Sequence, residues 1–377
     1  MDQLVKAFIS RSALRHNVRL IQKTAAETPI CAMIKAAAYG HNAALVVKAL
    51  EGIKIACWGV ATINEAVELR DLHVPEPIMV MRPLTRYDSA AAISEQIRLM
   101  RRLDIRPTLT GDDVFDLIAK TASDNSAPLR AHIKTDTGMG RTGCPAEETS
   151  DLLRKAVNIK GLAIEGIYTH LACADDENLD CALGQLTAFN STLDKIKSLG
   201  INIPIRHMAN SGAIFRMPEA RFDMVRPGRA IYGYTTQHIK TSEYLVPVMR
   251  VAAPVVFTKW VKKGTACSYG HTFKFRRDTR VGLLPLGYAD GYSRQWSNAG
   301  KVDFHGKLAP VIGRICMDLT IVDLTDIPEA TTGAQLCVIS NRRADPHSME
   351  SMAKRLATLP HEIGCVLGNR IQRILTE

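Results

Sequence analysis

Residues 29–61, "PICAMIKAAAYGHNAALVVKALEGIKIACWGVA", contain one strand–helix–strand unit. The apolar runs 29–35 and 54–61 have the length of buried strands, and between them apolar residues recur every three or four positions, as in an amphipathic helix. The same alternation continues along the chain. The further apolar runs are 76–83, 105–110, 129–136, 164–172, 204–211 and 221–228.

Eight such runs predict a (β/α)8 barrel. The runs between 76 and 110 have the weakest pattern, and an open doubly wound sheet is the alternative. After residue 238 the pattern changes to β-rich runs separated by Gly, Pro and Asp, and residues 345–367 are helical in pattern, with Ser348 or Asp345 as the cap. We therefore predict a barrel domain over 1–238 and a mostly β C-terminal domain over 239–377.

Composition limits the classes of function. The net charge of +10 comes from 48 basic and 38 acidic residues, but the basic residues are scattered, so we predict no nucleic-acid partner. No apolar run approaches the ~18 residues of a membrane-spanning helix, and the N-terminus lacks the apolar core of a signal peptide. The nine cysteines form no C-x-x-C pair and several lie in apolar runs, which is typical of a reduced, cytoplasmic protein without membrane contact.

Polar residues gather where the apolar runs end, and active sites of such barrels lie at the C-terminal ends of the strands. The residues at these ends are Lys35, Lys134, Thr135, Asp136, His170, Asn210, Ser211 and Arg226. A single lysine at a strand end usually extends into solvent. A desolvated lysine amine with a lowered pKa would instead react with a carbonyl group.

Two other strand ends have the character of an anion site. "ANSGA" (209–213) and "PGRAIYG" (227–233) contain small residues that let backbone N–H groups approach an anion, and Ser211 adds a hydroxyl. The loops after the last two strands often form a phosphate site in barrels. A lysine and a phosphate cradle at one barrel mouth predict pyridoxal 5′-phosphate (PLP) as the cofactor.

Two further strand ends allow either a structural or a functional interpretation. "KTDTGMGRTG" (134–143) reads as a plain loop, or as a loop whose Arg141 binds the carboxylate of an amino acid. His170 reads as a core histidine, or as a flat ring stacked on a cofactor. No second His or carboxylate has ligand spacing, so no metal site is predicted.

Eight motifs together resemble the alanine racemase family, PLP-dependent isomerases that interconvert L- and D-alanine. In chain order they are "IKAAAYGH", "KTDTGMGRTG", "THLACAD", "HMANSGA", "VRPGRAIYG", "SYGHTF", "PLGYADGY" and "GRICMD". The resemblance covers nearly the whole chain. It implies the barrel and β domain, D-alanine production for peptidoglycan, and a head-to-tail homodimer in which each active site takes residues from the partner's second domain.

The resemblance also implies a role for individual residues. Lys35 would bind the cofactor covalently, His170 would lie along its ring, and Arg226, with His207 beside it, would face the ring nitrogen. The residues expected at the phosphate are Tyr39, Asn210, Ser211 and the backbone of Gly228 and Arg229. The residues expected at the substrate are Arg141 and, from the partner side, Tyr288 and the backbone of Met317. Lys134, which is often carbamylated in this family, and Asp318 would support them.

Racemisation fits these residue types, because a proton must leave Cα on one face and return on the other. Lys35 and Tyr269, the latter from the partner subunit, would be the two bases. An arginine at the ring nitrogen is a poor acid, whereas a PLP decarboxylase is expected to place an acid there.

The chain departs from the family pattern at several positions. Asn369 replaces a tyrosine that usually contacts the phosphate, Gln372 replaces a proline, and Arg229 stands where an apolar residue is usual. The alternatives are a serine or lysine racemase, a PLP decarboxylase and a non-enzymatic PLP-binding barrel. The decarboxylase's Gly-Gly-Gly loop and cysteine motif are missing here, and "SYG" and "GYADG" argue against a lone barrel.

Overall fold

The structure, a computed structural model, describes residues 4–122, 127–234 and 244–377. The strands are β1 (Lys6–Ser10), β2 (Cys31–Met33), β3 (Cys57–Val60), β4 (Ile78–Pro83), β5 (Ile105–Leu109), β6 (Leu129–Asp136), β7 (Cys144–Pro145), β8 (Leu162–Tyr168), β9 (Ile205–His207), β10 (Met249–Pro254), β11 (Phe257–Val261), β12 (Ala266–Cys267), β13 (Phe273–Lys274), β14 (Thr279–Leu284), β15 (Lys301–Phe304), β16 (Lys307–Pro310), β17 (Thr320–Asp323), β18 (Gln335–Ile339) and β19 (Gln372–Thr376). The helices are α1 (Arg11–Thr24), α2 (Lys35–Tyr39), α3 (Ala43–Leu50), α4 (Ile63–Asp71), α5 (Ala90–Arg102), α6 (Phe115–Thr121), α7 (Thr149–Ala156), α8 (Asp180–Ser198), α9 (Ser211–Arg216), α10 (Met349–Leu356) and α11 (Pro360–Val366).

The first large sheet is the predicted barrel. Its parallel strands follow the order β2-β3-β4-β5-β6-β8-β9, and the short β7 pairs with β6. The run 221–228 closes the ring: Val225 forms a parallel bridge with Ile30, and the Asp223 N–H donates to the Arg206 carbonyl at 3.0 Å. Seven of the eight predicted runs form strands, including the weak runs between 76 and 110, which form β4 and β5; the eighth run, 221–228, occupies its place in the ring through the isolated bridge at Val225.

The second domain is built on two antiparallel-rich sheets, as predicted. The larger sheet has the order β16-β15-β18-β10-β1-β19, and the smaller has the order β11-β14-β17. The N-terminal strand β1 lies in this larger sheet, antiparallel to β10 and parallel to β19. The sequence analysis did not predict that strand. The division between 238 and 239 falls outside the described residues and stays a prediction.

Local sequence explains how a helix of each domain begins. Thr62 and Glu65 form a capping box at α4, and Ser348 caps α10 as predicted.

Inside the barrel a small buried cluster supports the floor of the mouth; its members are Cys31, Met33, Cys57, Met79, Tyr168 and Met224. Among the described residues, no helix has both the length and the apolar character needed to cross a bilayer.

Candidate active site

Lys35 begins an unusual turn at the mouth of the barrel. Ala36, Ala37, Ala38 and Tyr39 have φ between 50° and 57°, so α2 is a left-handed turn. L-residues avoid this region, at a cost of roughly 1–2 kcal/mol per residue. The sequence analysis considered only an ordinary helix here. Sustained left-handed backbone in alanines occurs where the surroundings hold it, and such strain concentrates at functional sites.

Contacts from outside the turn hold it in place. The Ala36 N–H donates to Glu65 Oε1 at 2.8 Å, while Glu65 Oε2 accepts from the Ala61 N–H at 2.7 Å. Gly40 follows with φ 81°, and a Cβ there would collide with the Gly364 carbonyl. The capping carboxylate of α4 therefore also fixes the direction in which Lys35 leaves its strand.

The two lysines of the site are both pushed towards their neutral forms. Burial lowers the pKa of Lys35, and the nearby Arg141 guanidinium lowers it further. Burial and then Arg141 lower the pKa of Lys134 to about 8. Lys134 is itself buried at 3 % exposure and its Nζ donates to Thr142 Oγ1 at 2.5 Å. A neutral amine is the nucleophilic form, so this setting favours reaction of Lys35 with a carbonyl.

One cavity of about 610 Å³ collects most of the residues predicted for the site. Those that line it are Lys35, Tyr39, Lys134, Arg141, His170, Asn210, Ser211, Arg226, Gly228 and Arg229. Residues from five strand ends thus share one space, as expected for a barrel mouth. Their individual roles stay predictions.

One end of this cavity is shaped as an anion cradle. Ser211 Oγ accepts from the Gly228 N–H at 2.9 Å and from the Ala230 N–H at 3.3 Å. A Cβ on Gly228 would collide with the Tyr39 hydroxyl oxygen, so only glycine lets that hydroxyl approach the backbone. Arg229, whose side chain is 15 % exposed, forms an ion pair with Asp175. Hydroxyls, amide donors and a guanidinium together suit a phosphate group.

Asn210 stabilises the backbone next to the cradle through hydrogen bonds of its side-chain amide. Its Oδ1 caps α9 by accepting from the N–H groups of Gly212 and Ala213 at 3.1 and 3.2 Å. Its Nδ2 donates to the Leu171 carbonyl at 3.2 Å. Asn210 therefore joins the cradle to the loop after β8, while Ser211 lines the cavity.

Arg226 is fully enclosed at the centre of the mouth. Its Nη2 donates to the carbonyls of Thr169 and Met208 at 2.6 and 3.2 Å, and its guanidinium lies over the Tyr168 ring at 4.9 Å from the centroid. Burial lowers the pKa of Arg226, but these acceptors require its N–H donors. Burial, and then Arg226, shift the pKa of His170 well below its ordinary value, so His170 is neutral.

A buried chain of hydrogen bonds runs from Arg226 down through the barrel. Arg226 Nη1 donates to His207 Nδ1 at 2.7 Å, and His207 Nε2 lies 2.9 Å from His132 Nδ1. His132 Nε2 is 3.5 Å from Glu165 Oε2, which also accepts from Arg106 Nε at 2.9 Å. Burial lowers the pKa of both histidines. Two neutral rings thus connect the arginine to a carboxylate.

The order of donors along this chain fixes both histidine tautomers. His207 must accept from Arg226 at Nδ1, so it carries its proton on Nε2 and donates to His132 Nδ1. His132 then carries its proton on Nε2, facing Glu165. The sequence analysis predicted His207 but missed His132, Glu165 and Arg106. A usable signal was present, because His132 and Lys134 lie two positions apart and so face the same side of β6.

His361 is a further cavity residue that the sequence analysis missed. It lies in α11 of the second domain, and its ring centroid is 5.9 Å from that of Tyr39. Its Nδ1 is buried without a hydrogen-bond partner among the described residues. Burial, followed by Arg229 and Lys35, lowers the pKa of His361. An unpaired ring nitrogen facing a cradle is available to a ligand oxygen. Asn369, which replaces the tyrosine that usually contacts the phosphate in this family, is exposed and does not line the cavity.

The remaining predicted residues lie on the second domain and do not line the cavity. Tyr269, Tyr288 and Met317 are 68 %, 43 % and 53 % exposed. The Tyr288 N–H donates to the Cys316 carbonyl at 3.1 Å, and Asp318 pairs with Arg370 at 2.7 Å. We call the residues Tyr269, Tyr288, Met317 and Asp318 the exposed face. Its position is consistent with the prediction that these side chains serve a partner's cavity.

Fold and site together define a two-domain barrel protein with a desolvated lysine and an anion cradle at the strand ends. The family model for the N-terminal domain of alanine racemase matches residues 9–236, and the model for its C-terminal domain matches residues 248–375. The chain belongs to the alanine racemase family.

Individual relatives agree with this assignment. The alanine racemase of Methanococcus maripaludis is 35 % identical over 372 residues, which cover 98 % of this chain and 97 % of the relative. The crystal structure of alanine racemase from Streptomyces lavendulae has a TM-score of 0.89 at 31 % identity, covering 100 % of this chain and 98 % of that chain. The alanine racemase of Bartonella henselae, with covalently bound pyridoxal phosphate, has a TM-score of 0.85 at 30 % identity, covering 99 % of each chain.

Proposed function

We propose that this protein is a PLP-dependent racemase that interconverts L- and D-alanine. The observation that carries the proposal is the arrangement of one cavity: a desolvated Lys35 on one side, the Ser211–Gly228 cradle at the end, and the buried Arg226 between the barrel strands. The family assignment and the relatives described above support the same activity.

The residues present fit PLP. The Lys35 amine is in a setting that favours its neutral form, so it would hold the aldehyde carbon. The cradle of Ser211 and Gly228 with the Tyr39 hydroxyl would hold the phosphate, and the Arg229 guanidinium would add a positive charge there. Bound PLP acts as an electron sink that weakens the Cα–H bond of an amino acid.

Proton transfer at Cα is assigned to two side chains on opposite faces. Lys35 would remove or return a proton on one face, and Tyr269 of the partner subunit would do so on the other. A single base would have to cross from one face to the other. Tyr269 is the exposed tyrosine of the motif "SYG", and its 68 % exposure leaves its hydroxyl accessible to a second copy of the chain.

Arg226 would contact the cofactor ring as a donor that does not give up its proton. The chain through His207 and His132 ends at the Glu165 carboxylate, and the contact with His207 orients the guanidinium. Because arginine is a very weak acid, the ring nitrogen would not become protonated. This arrangement favours return of the proton to Cα over reactions that need a stronger electron sink.

The substrate end of the cavity has the charge that an amino acid requires. Arg141 lines it and would bind the substrate carboxylate, with Lys134 beside it. Tyr288 of the partner subunit and the backbone of Met317 of the partner subunit would narrow the remaining space to the size of a methyl side chain. Asp318 would hold that segment through its ion pair with Arg370.

The working unit is proposed to be a head-to-tail homodimer in the cytoplasm, making D-alanine for peptidoglycan. The exposed face supports the dimer, because the side chains of Tyr269 and Tyr288, which have assigned functions, lie outside their own chain's cavity. The nine cysteines are all free in the structure, which suits a reducing compartment.

The direct test is a stereochemical assay of the purified protein with a panel of L- and D-amino acids, accompanied by borohydride reduction and peptide mapping. We expect alanine to be racemised fastest, in both directions, and the reduced cofactor to be attached to the Lys35 peptide. Faster turnover of serine or lysine would contradict the assignment of alanine, and a label on another lysine would contradict the site.

A further inference from the structure

Two cysteines lie side by side at the rim of the cavity. Cys181 Sγ is 2.7 Å from Cys173 Sγ, and both are free thiols. Cys173 is partly exposed in the loop after β8, and Cys181 is exposed in the first turn of α8. Of the nine cysteines, these are the two whose thiols meet at the surface, because the Cys31 and Cys57 pair is buried in the barrel.

The segment between the two cysteines belongs to the cavity wall. Asp175 lies between them in sequence, lines the cavity and pairs with Arg229. Arg216 ties the same segment to α9 by donating to the carbonyls of Ala174 and Glu177, each at 3.1 Å. A covalent bond between Cys173 and Cys181 would therefore close a small ring that includes a residue of the cradle.

We propose that Cys173 and Cys181 are a redox-modification site that forms an intramolecular disulfide by exchange with a low-molecular-weight disulfide. The thiolate of one cysteine attacks the small disulfide, forms a mixed disulfide and releases one small thiol. The second cysteine, as its thiolate, then attacks the protein sulfur of that mixed disulfide and releases the other small thiol. Two protein thiols are oxidised, one small disulfide is reduced to two thiols, and each cysteine proton ends on a released thiol.

The surroundings select the charge of the oxidant. Residues 173–181 contain four acidic residues and no basic residue; the acidic residues are Asp175, Asp176, Glu177 and Asp180. Two arginines contact the segment from outside, Arg216 and Arg229, so the acidic residues remain in excess. A local excess of negative charge attracts cations and repels anions, and salt screens both effects. We expect cystamine, a dication, to react several-fold faster than oxidised glutathione, an anion, at low ionic strength, and this ratio to shrink at high salt.

The test uses the full-length protein carrying Cys365→Ser, which removes an exposed cysteine distant in sequence from the pair. After treatment with cystamine, unreacted thiols are alkylated and the peptides are mapped by mass spectrometry. We expect a Cys173–Cys181 cross-link without a retained cysteamine group, reversed by dithiothreitol. Cys173→Ser and Cys181→Ser are the matched controls, in which the remaining cysteine keeps its cysteamine adduct because no second thiol can displace it.

Two results would overturn the proposal. One is a cysteamine adduct that persists on Cys181 when Cys173 is present, at the level seen in Cys173→Ser. The other is full alkylation of both cysteines under conditions that oxidise Cys365 in the protein that retains it. Equal rates with cystamine and oxidised glutathione at low salt would refute the role of the acidic segment.

Discussion

The barrel mouth and the exposed face of the second domain differ in how far their side chains find partners within the same chain. At the mouth, Arg226 is enclosed and hydrogen-bonded within the chain, through the path that ends at Glu165. On the exposed face, Tyr269 and Met317 have large side chains that are more than half exposed. The first region is organised by folding alone. For the second we propose a function that depends on another copy of the chain covering it, and the predictions below test this difference.

The largest effect is expected from removing the amine at the mouth. Lys35→Ala should lower the racemisation rate by at least about 10⁴-fold, because a base and the covalent attachment are lost together. Borohydride should then leave no cofactor on the protein. Lys48→Ala, a change at an exposed lysine in α3, is the control and should keep full activity. Substantial activity in Lys35→Ala would remove the mouth from the mechanism.

A somewhat smaller and asymmetric effect is expected on the exposed face. Tyr269→Phe should slow racemisation by about 10²–10⁴-fold, the usual contribution of a general base. Deuterium uptake from solvent should fall much more in one stereochemical direction than in the other. Tyr244→Phe removes the hydroxyl of another tyrosine, 72 % exposed, and should change neither direction. Equal small losses in both directions would argue against Tyr269 as a base.

Substitutions in the cradle should change the affinity of the protein for the cofactor. Arg229→Leu removes a guanidinium from the phosphate end, and a charged hydrogen bond is worth ~1.5–3 kcal/mol. We therefore expect the Kd for PLP to rise about 10–100-fold. Asp175→Asn breaks the ion pair of Arg229 without removing the arginine, and should leave the affinity equal or higher. An unchanged Kd in Arg229→Leu would show that the arginine side chain faces Asp175 only.

Changing Glu165, which lies beneath the mouth, is expected to have the smallest effect on catalysis but a measurable effect on stability. The hydrogen bond from His132, and then Arg106, lower the pKa of Glu165 to about 2. A carboxylate with a depressed pKa stabilises the fold above its unfolded-state pKa and loses this contribution as the pH falls through its folded-state pKa. Glu165→Gln should therefore cost about 2–3 kcal/mol of unfolding free energy at pH 7.

The same variant has a predicted pH dependence. The difference in stability between wild type and Glu165→Gln should shrink between about pH 4.5 and pH 2, where Glu165 becomes protonated. Urea unfolding at several pH values measures it. A difference independent of pH would mean that the glutamine disturbs packing and that the carboxylate charge contributes little.

Sequence reasoning reached the features that repeat or that follow a motif. The eight apolar runs predicted the barrel, and their polar ends predicted six residues of one cavity, because strand ends of a barrel meet in space. The loop 134–143 added Arg141, and the family resemblance implied the places of Tyr39, Gly228 and Arg229. The features it missed depend on contacts between distant segments. Strand β1 joins the second domain because its edge is completed by β10 and β19, and no local pattern in residues 6–10 specifies those partners.

The interior of the site shows the same limit. The left-handed turn at Ala36–Tyr39 contradicts the local preference of alanine and exists because Glu65 and the backbone of Gly364 constrain it. His132 and Glu165 lie in apolar runs, and their partnership becomes visible only when β6 and β8 are paired. His361 reaches the mouth from the second domain. In each case the tertiary contact, and not the neighbouring sequence, determines the structure.

The most direct test of the central claim combines the two regions. Lys35→Ala and Tyr269→Phe chains are co-expressed with different affinity tags, and the mixed dimer is purified. If each site takes Lys35 from one chain and Tyr269 from the other, one site of the mixed dimer is intact and its activity should be about half that of the wild type. If the mixed dimer is as inactive as either parent, the two side chains do not meet across subunits and the account is wrong.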